Sequence, residues 1–196
     1  MIATALRALE NPVALDAFMA ALGSRDRANV ERHIAAADAE ATPAHSTLWK
    51  RLVRDLATLS SLTIQSTGQQ ALSFYIPDGK HRQQVFAIED HRDGKLRVYA
   101  EDVMAQALKA GVVGAAGNGS AMHPIPNVGG QSIEIDALTA QNTPNPSPFY
   151  KHMLGWNRRA IRITLPVEAT EESIKATERI CAISAQRWAE VSQKTQ

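Results

Sequence analysis

The sequence predicts an α+β protein: an antiparallel sheet of four to five strands packed by helices, with a helical segment ahead of it. Three observations predict this class. Apolar residues recur at helical spacing over the first sixty residues. From Leu62 the period falls to two. The runs of period two are joined by tight turns, which suit antiparallel neighbours and leave no length for βαβ crossovers.

Residues 1–60 read as the helical segment and 61–196 as the α+β part, together one compact unit with a Gly/Pro-rich insertion at 111–157. In "ENPVALDAFMAALGS", Asn11 caps a first helix, Pro12 sits at its first position and Gly23 stops it. "SRDRANVERHIAAADAE" carries Val30, Ile34 and Ala37 at helical spacing. Thr42 and Pro43 open a third helix with Leu48, Leu52, Leu56 and Leu59 on one face. Trp49 and Val53 widen that face, and Lys50, Arg51, Arg54 and Asp55 fall on or near the wet side.

"ALSFYI" then sets Leu72, Phe74 and Ile76 against Ser73 and Tyr75. "PDGK" and "HRDGK" are turn chemistry around the strand "QQVFAIED". "LRVYA" follows with Leu96, Val98 and Ala100 inward, Arg97 and Tyr99 outward. "EDVMAQALKAG" reads as a short helix with acids in its first turn and Gly111 as its stop. "QSIEIDAL" alternates as a strand with Ile133 and Ile135 inward, and "TAQNTPNPSPF", with three prolines in five residues, is a connection. "FYKHML" is one helical turn. "RRAIRITL" alternates Ile161, Ile163 and Leu165 with Arg158, Arg162 and Thr164. The last helix starts near Thr170, acidic at Glu171 and Glu172, and shows Ile174, Cys181, Ala185 and Trp188 on its apolar side.

Composition narrows function. In 196 residues the hydrophobic fraction is 44% and the charged fraction 21%, an ordinary globular balance. A formal charge of +1 supplies no global field towards nucleic acid or membrane, so any such affinity needs a local patch. Cys181 is the single cysteine, which excludes an internal disulfide and fits a reducing, cytoplasmic setting. No apolar run reaches membrane-spanning length, so no membrane partner is expected.

The stretch "GVVGAAGNGSAMHPIPNVGG" holds six of the eleven glycines and is the loudest candidate for chemistry. It lacks the lysine and hydroxyl that follow the last glycine of a phosphate loop, and it follows a helix rather than a strand. It reads as a connector, with a lid as the alternative. The six histidines form no i, i+3 or i, i+4 pair, so no metal site is predicted. Cys181 lies mid-helix among apolar residues, where the thiol is disfavoured as a nucleophile. The pairs Glu89/Asp90 and Glu101/Asp102 sit at element ends and read as turn and cap residues. No catalytic residue and no cofactor emerges, and the balance leans away from an enzyme.

One set is more suggestive. Lys80, Arg82, Arg92, Lys95, Arg97 and Tyr99 place cations beside an aromatic ring on one sheet face and its turn tips. Charge for phosphate and rings for bases is what nucleic-acid surfaces use. Arg158, Arg159 and Arg162 extend the set if the late strand joins that sheet.

"VFAIED…GKLRVYAEDVMAQALKAG" and "GWNRRAIRITLPVEATEESIKATERICAISAQRWA" together resemble the YjbR/MmcQ-like family over about Ala71 to Trp188. The resemblance implies a small double-wing α+β fold with DNA or partner binding, and it brings no catalytic residue. The sequence therefore predicts a non-enzymatic binding module that meets nucleic acid or a protein through an exposed sheet face. The alternative is a small-ligand protein or enzyme with a pocket under the 111–157 segment, around His123, Tyr150, His152 and Trp156. A third reading is a homo-oligomer using the helical N-terminus.

Overall fold

In the computed structural model the described residues are 43–57, 59, 63–66, 71–78, 81–90, 95–117, 121–141, 148–155, 157–166 and 168–194, with Ala20, Arg27, Ala28 and Glu31. The two helices predicted before Thr42 lie outside them apart from those four residues.

The described elements run α1 (Pro43–Ala57), β1 (Thr63–Ser66), β2 (Ala71–Asp78), β3 (His81–Asp90), β4 (Leu96–Glu101), α2 (Met104–Lys109), β5 (Met122–Pro124), β6 (Ser132–Ala137), α3 (Pro148–Gly155), β7 (Ala160–Leu165) and α4 (Glu171–Lys194). The fold is α+β. Its sheet has seven strands in the order β1-β2-β3-β4-β7-β6-β5, every neighbouring pair antiparallel. That exceeds the four to five expected, for a local reason. β1 reads "TIQS", too short and polar to show a period, and β5 is three residues ending in Pro124. Both are edge strands, where short length and proline are tolerated because one row of backbone groups goes unpaired.

β7, the last strand in sequence, enters between β4 and β6. "AIRITL" suits a central strand because Ala160, Ile161, Ile163, Thr164 and Leu165 are all buried. Register assigns the faces, since paired residues point the same way. Leu72 faces Ile88, which faces Val98, which faces Ile163, which faces Ile135, and Phe74, Phe86, Ala100 and Ile161 form the next row. This apolar face is closed throughout. Ser73, Ala87, Glu89, Arg97, Tyr99, Arg162, Thr164, Glu134 and Asp136 share the opposite, polar face. A bulge between Phe74 and Tyr75 shifts the β2–β3 register beside Val85. The Val85 carbonyl there accepts a hydrogen bond from Ser184 Oγ of α4 at 3.0 Å.

α4 packs against β2, β3, β4 and β7, and α1 packs against α4. Leu48, Trp49, Leu52, Val53 and Leu56 bury the α1 stripe as its spacing predicts. Asp55 departs from expectation. It is 5% exposed rather than wet, held by Arg51 Nε at 3.3 Å and Arg54 Nε at 2.7 Å.

The predicted acids are absent from the first turn of α2, because Glu101 still belongs to β4. Its end matches the sequence closely. Gly111 N–H donates to Leu108 O at 3.0 Å and Val112 N–H to Ala107 O at 2.9 Å, a Schellman motif that needs the positive φ of Gly111, 65°. The glycine-rich stretch thus begins as a helix cap. It continues as a hairpin of β5 and β6, with Asn127 and Gly130 both at positive φ in the connection. Within it β5 adds an edge strand to the sheet.

Candidate functional site

Of the predicted basic surface, the side chains of Lys95, Arg97 and Tyr99 fall among the described residues. Lys80 and Arg92 lie outside the described residues, and Arg82 is placed only as backbone in β3. Lys95 is exposed at the head of β4, and Arg97 is half-buried. Tyr99 is 7% exposed, beneath Phe149 of α3 at a ring separation of 6.5 Å. Its hydroxyl donates to Glu89 Oε2 at 2.6 Å, and burial, then this bond, push its pKa well up. The ring cannot stack on a base, because another ring already covers it. Ser73, Gln84, Ala87 and Ala160 are also buried on this face, so the middle of the sheet is closed on both sides. Arg162 Nη2 donates to Asp136 Oδ2 at 2.8 Å, and Arg158 bonds Glu101 while stacking 4.4 Å over Trp188. Those arginines neutralise acids of the chain itself. Glu101, expected as an end residue, is a buried anchor for Arg158 and Arg187.

Of the predicted pocket, the side chains of His123 and Tyr150 fall among the described residues. His123 lies on β5 with Nδ1 3.3 Å from Gly114 O, while Tyr150 is buried in α3. His152 is placed only as backbone of α3, and Trp156 is outside the described residues. Cys181 is fully buried, and burial raises its thiol pKa. Among the described residues no group of three or more His, Cys, Asp or Glu could hold a metal, and no helix is long and apolar enough to cross a membrane.

A cleft of about 250 Å³ opens instead at one end of the sheet, where β4 and β6 begin and β7 ends. Its apolar lining is Met122, Ile133 and Leu165, and its charged lining is Lys95, Glu134 and Glu168. Thr164, Gln131, Thr170 and Ser173 add neutral polar groups. The connection from β7 into α4 shapes one wall, beginning with Ala169 N–H donating to Pro166 O at 3.0 Å. Thr170 then caps α4: its Oγ1 accepts from Ser173 N–H at 3.3 Å and donates to Gln131 Oε1 at 2.9 Å. That second bond ties the hairpin of β5 and β6 to the head of α4, so the wall is fixed from both sides.

Among the described residues of the basic set Lys95 lines this cleft, and Met122 with Gln131 to Glu134 bring the insertion to it. Sequence reasoning missed the site because its lining comes from four separated segments with no shared motif. Comparison of the chain with family models, with curated proteins and with solved structures gives no match.

Proposed function

We propose that the protein is a binding protein whose site is the cleft between the head of β4, the start of β6 and the first turn of α4, occupied by a small polar molecule. The observation that carries this reading is the lining: both signs of charge, several hydroxyl and amide groups and an apolar floor meet in one concavity. At about 250 Å³ the cleft is below the usual range for drug-sized ligands, so a nucleotide is too large and a small metabolite fits. The Thr170 hydroxyl is engaged by Gln131 and Ser173 rather than by a base, which favours binding over nucleophilic chemistry.

Amide NMR of the labelled chain, titrated with pools of small polar metabolites, tests this. Shifts clustered on Lys95, Gln131 to Glu134, Thr164 and Glu168 to Ser173 are the expected result. Shifts centred on β3 and the middle of β4, or none from any pool, contradict it.

A macromolecular partner at the same end of the sheet is the second reading. It is favoured by exposed Lys95 beside half-buried Arg97, and by the resemblance to the YjbR/MmcQ-like family. In that case the chain binds DNA or RNA oligonucleotides with an affinity that falls with salt, and Arg97→Ala flattens the dependence. Absence of oligonucleotide binding at low salt removes the nucleic-acid form of this reading.

A further inference from the structure

We propose that the cleft at the head of α4 takes a zwitterion of free-amino-acid size, a ligand class that rests on the reading of the cleft as the binding site. Charge of both signs flanks the cleft. Lys95 approaches from the β4 side of β7 and Glu134 from the β6 side, with Glu168 in the turn that follows β7. Two strand spacings, about 10 Å, separate the β4 and β6 backbones. An ammonium on one flank and carboxylates on the other suit a ligand that carries both charges. An anion alone meets Glu134 and Glu168, and a cation alone meets Lys95 and the positive head of the helix.

The head of α4 adds a second source of positive potential. The N–H of Ser173 is taken by Thr170 Oγ1 and that of Ile174 by Thr170 O, which leaves the N–H groups of Glu171 and Glu172 without an acceptor within the helix. Thr170 and Ser173 of this turn line the cleft, so the positive end of the helix dipole lies beside it and favours a carboxylate there.

Thr164 lines the cleft from β7, is 6% exposed, and makes no side-chain hydrogen bond among the described residues. That hydroxyl has no bond among the described residues to give up, so a polar ligand in the cleft can take it as donor or acceptor. Ile133, Leu165 and Met122 leave an apolar surface for the ligand's carbon atoms.

Calorimetric titration of the full chain with the common L-amino acids tests this, with acetate and ethylammonium as single-charge probes. The expected result is saturable binding of one or more amino acids and none of acetate or ethylammonium. Lys95→Ala and Glu134→Gln each weaken that binding about tenfold, the loss of one charge-assisted contact. Thr164→Val keeps the side-chain shape. It should weaken binding several-fold while the melting temperature of the unliganded protein stays level or rises, because no internal hydrogen bond is lost. A purely structural role for Thr164 would lower that melting temperature and leave affinity alone.

Acetate or ethylammonium binding as tightly as any amino acid overturns the zwitterion inference and leaves the cleft reading standing. Amino-acid binding unchanged in all three variants overturns the assignment to this cleft. Failure of every amino acid overturns the inference. If the metabolite pools also leave the cleft amides unshifted, the cleft reading falls with it.

Discussion

Two regions of this molecule handle charge in opposite ways. On the polar sheet face acids and bases alternate across strands, Glu89 opposite Arg97 and Asp136 opposite Arg162, so register alone brings opposite charges together. At the joint of α1 and α4 two acids meet. Asp55 is 5% exposed, Glu178 is 8% exposed, and they share a hydrogen bond. Burial, then Asp55, push the Glu178 carboxyl up to about 8. Outside the pair, Arg51 bridges Asp55 and Glu171, with its Nη2 2.7 Å from Glu171 Oε1. The Arg51 bond, joined by Lys175, draws Glu171 down to about 2. The lesson is that a face read by strand register neutralises itself. A joint between distant helices instead holds a proton, and so depends on pH.

The largest expected effect lies at the joint. The folded chain holds the Glu178 proton over a range where the unfolded chain has released it. Stability is therefore fully present below about pH 4.5 and is lost as pH rises to about 8, at up to roughly 1.4 kcal/mol per pH unit. Urea unfolding between pH 4.5 and 9 measures this, and Glu178→Gln should flatten the slope. An unchanged slope would place the titrating group elsewhere.

A smaller effect belongs to the sheet. Tyr99→Phe removes the bond to Glu89 and should cost about 1 kcal/mol, with little dependence on salt. A larger loss would mean that the hydroxyl organises more than that bond. The smallest effect is at the exposed rim of the joint. The lowered pKa of Glu171 contributes stability above about pH 4.5 that is lost as pH falls towards 2. Arg51→Ala should shrink that acid-side loss slightly, and salt should mask the difference, because both side chains are partly in water. A loss that persists in high salt would argue that the bridge is shielded.

The strands from β2 to β4, along with β6 and β7, were legible because period two is visible in "ALSFYI", "LRVYA" and "AIRITL", and Gly111 marked its helix end by chemistry that only glycine does cheaply. What covers a face was not legible. Alternation put Tyr99 and Arg97 on one side of β4, correctly. Nothing nearby in sequence announces that Phe149, fifty residues on, lies over that ring. Asp55 illustrates the same limit. Its helical position reads as on or near the wet side, and nothing nearby in sequence announces that Glu178, far along the chain, meets it. The cleft was hidden more deeply, because Lys95, Glu134, Thr164 and Thr170 become neighbours only once β7 is inserted between β4 and β6.

Hydroxyl-radical footprinting asks most directly whether the accessible site lies at the end of the sheet rather than its middle, with each residue's oxidation rate divided by its rate in the unfolded chain. Met122, 43% exposed in the cleft wall, should retain a large share of its unfolded rate, and Tyr99 should be strongly protected. A Tyr99 labelled as freely as Met122 would mean that the middle of the sheet is open and that the binding surface belongs there.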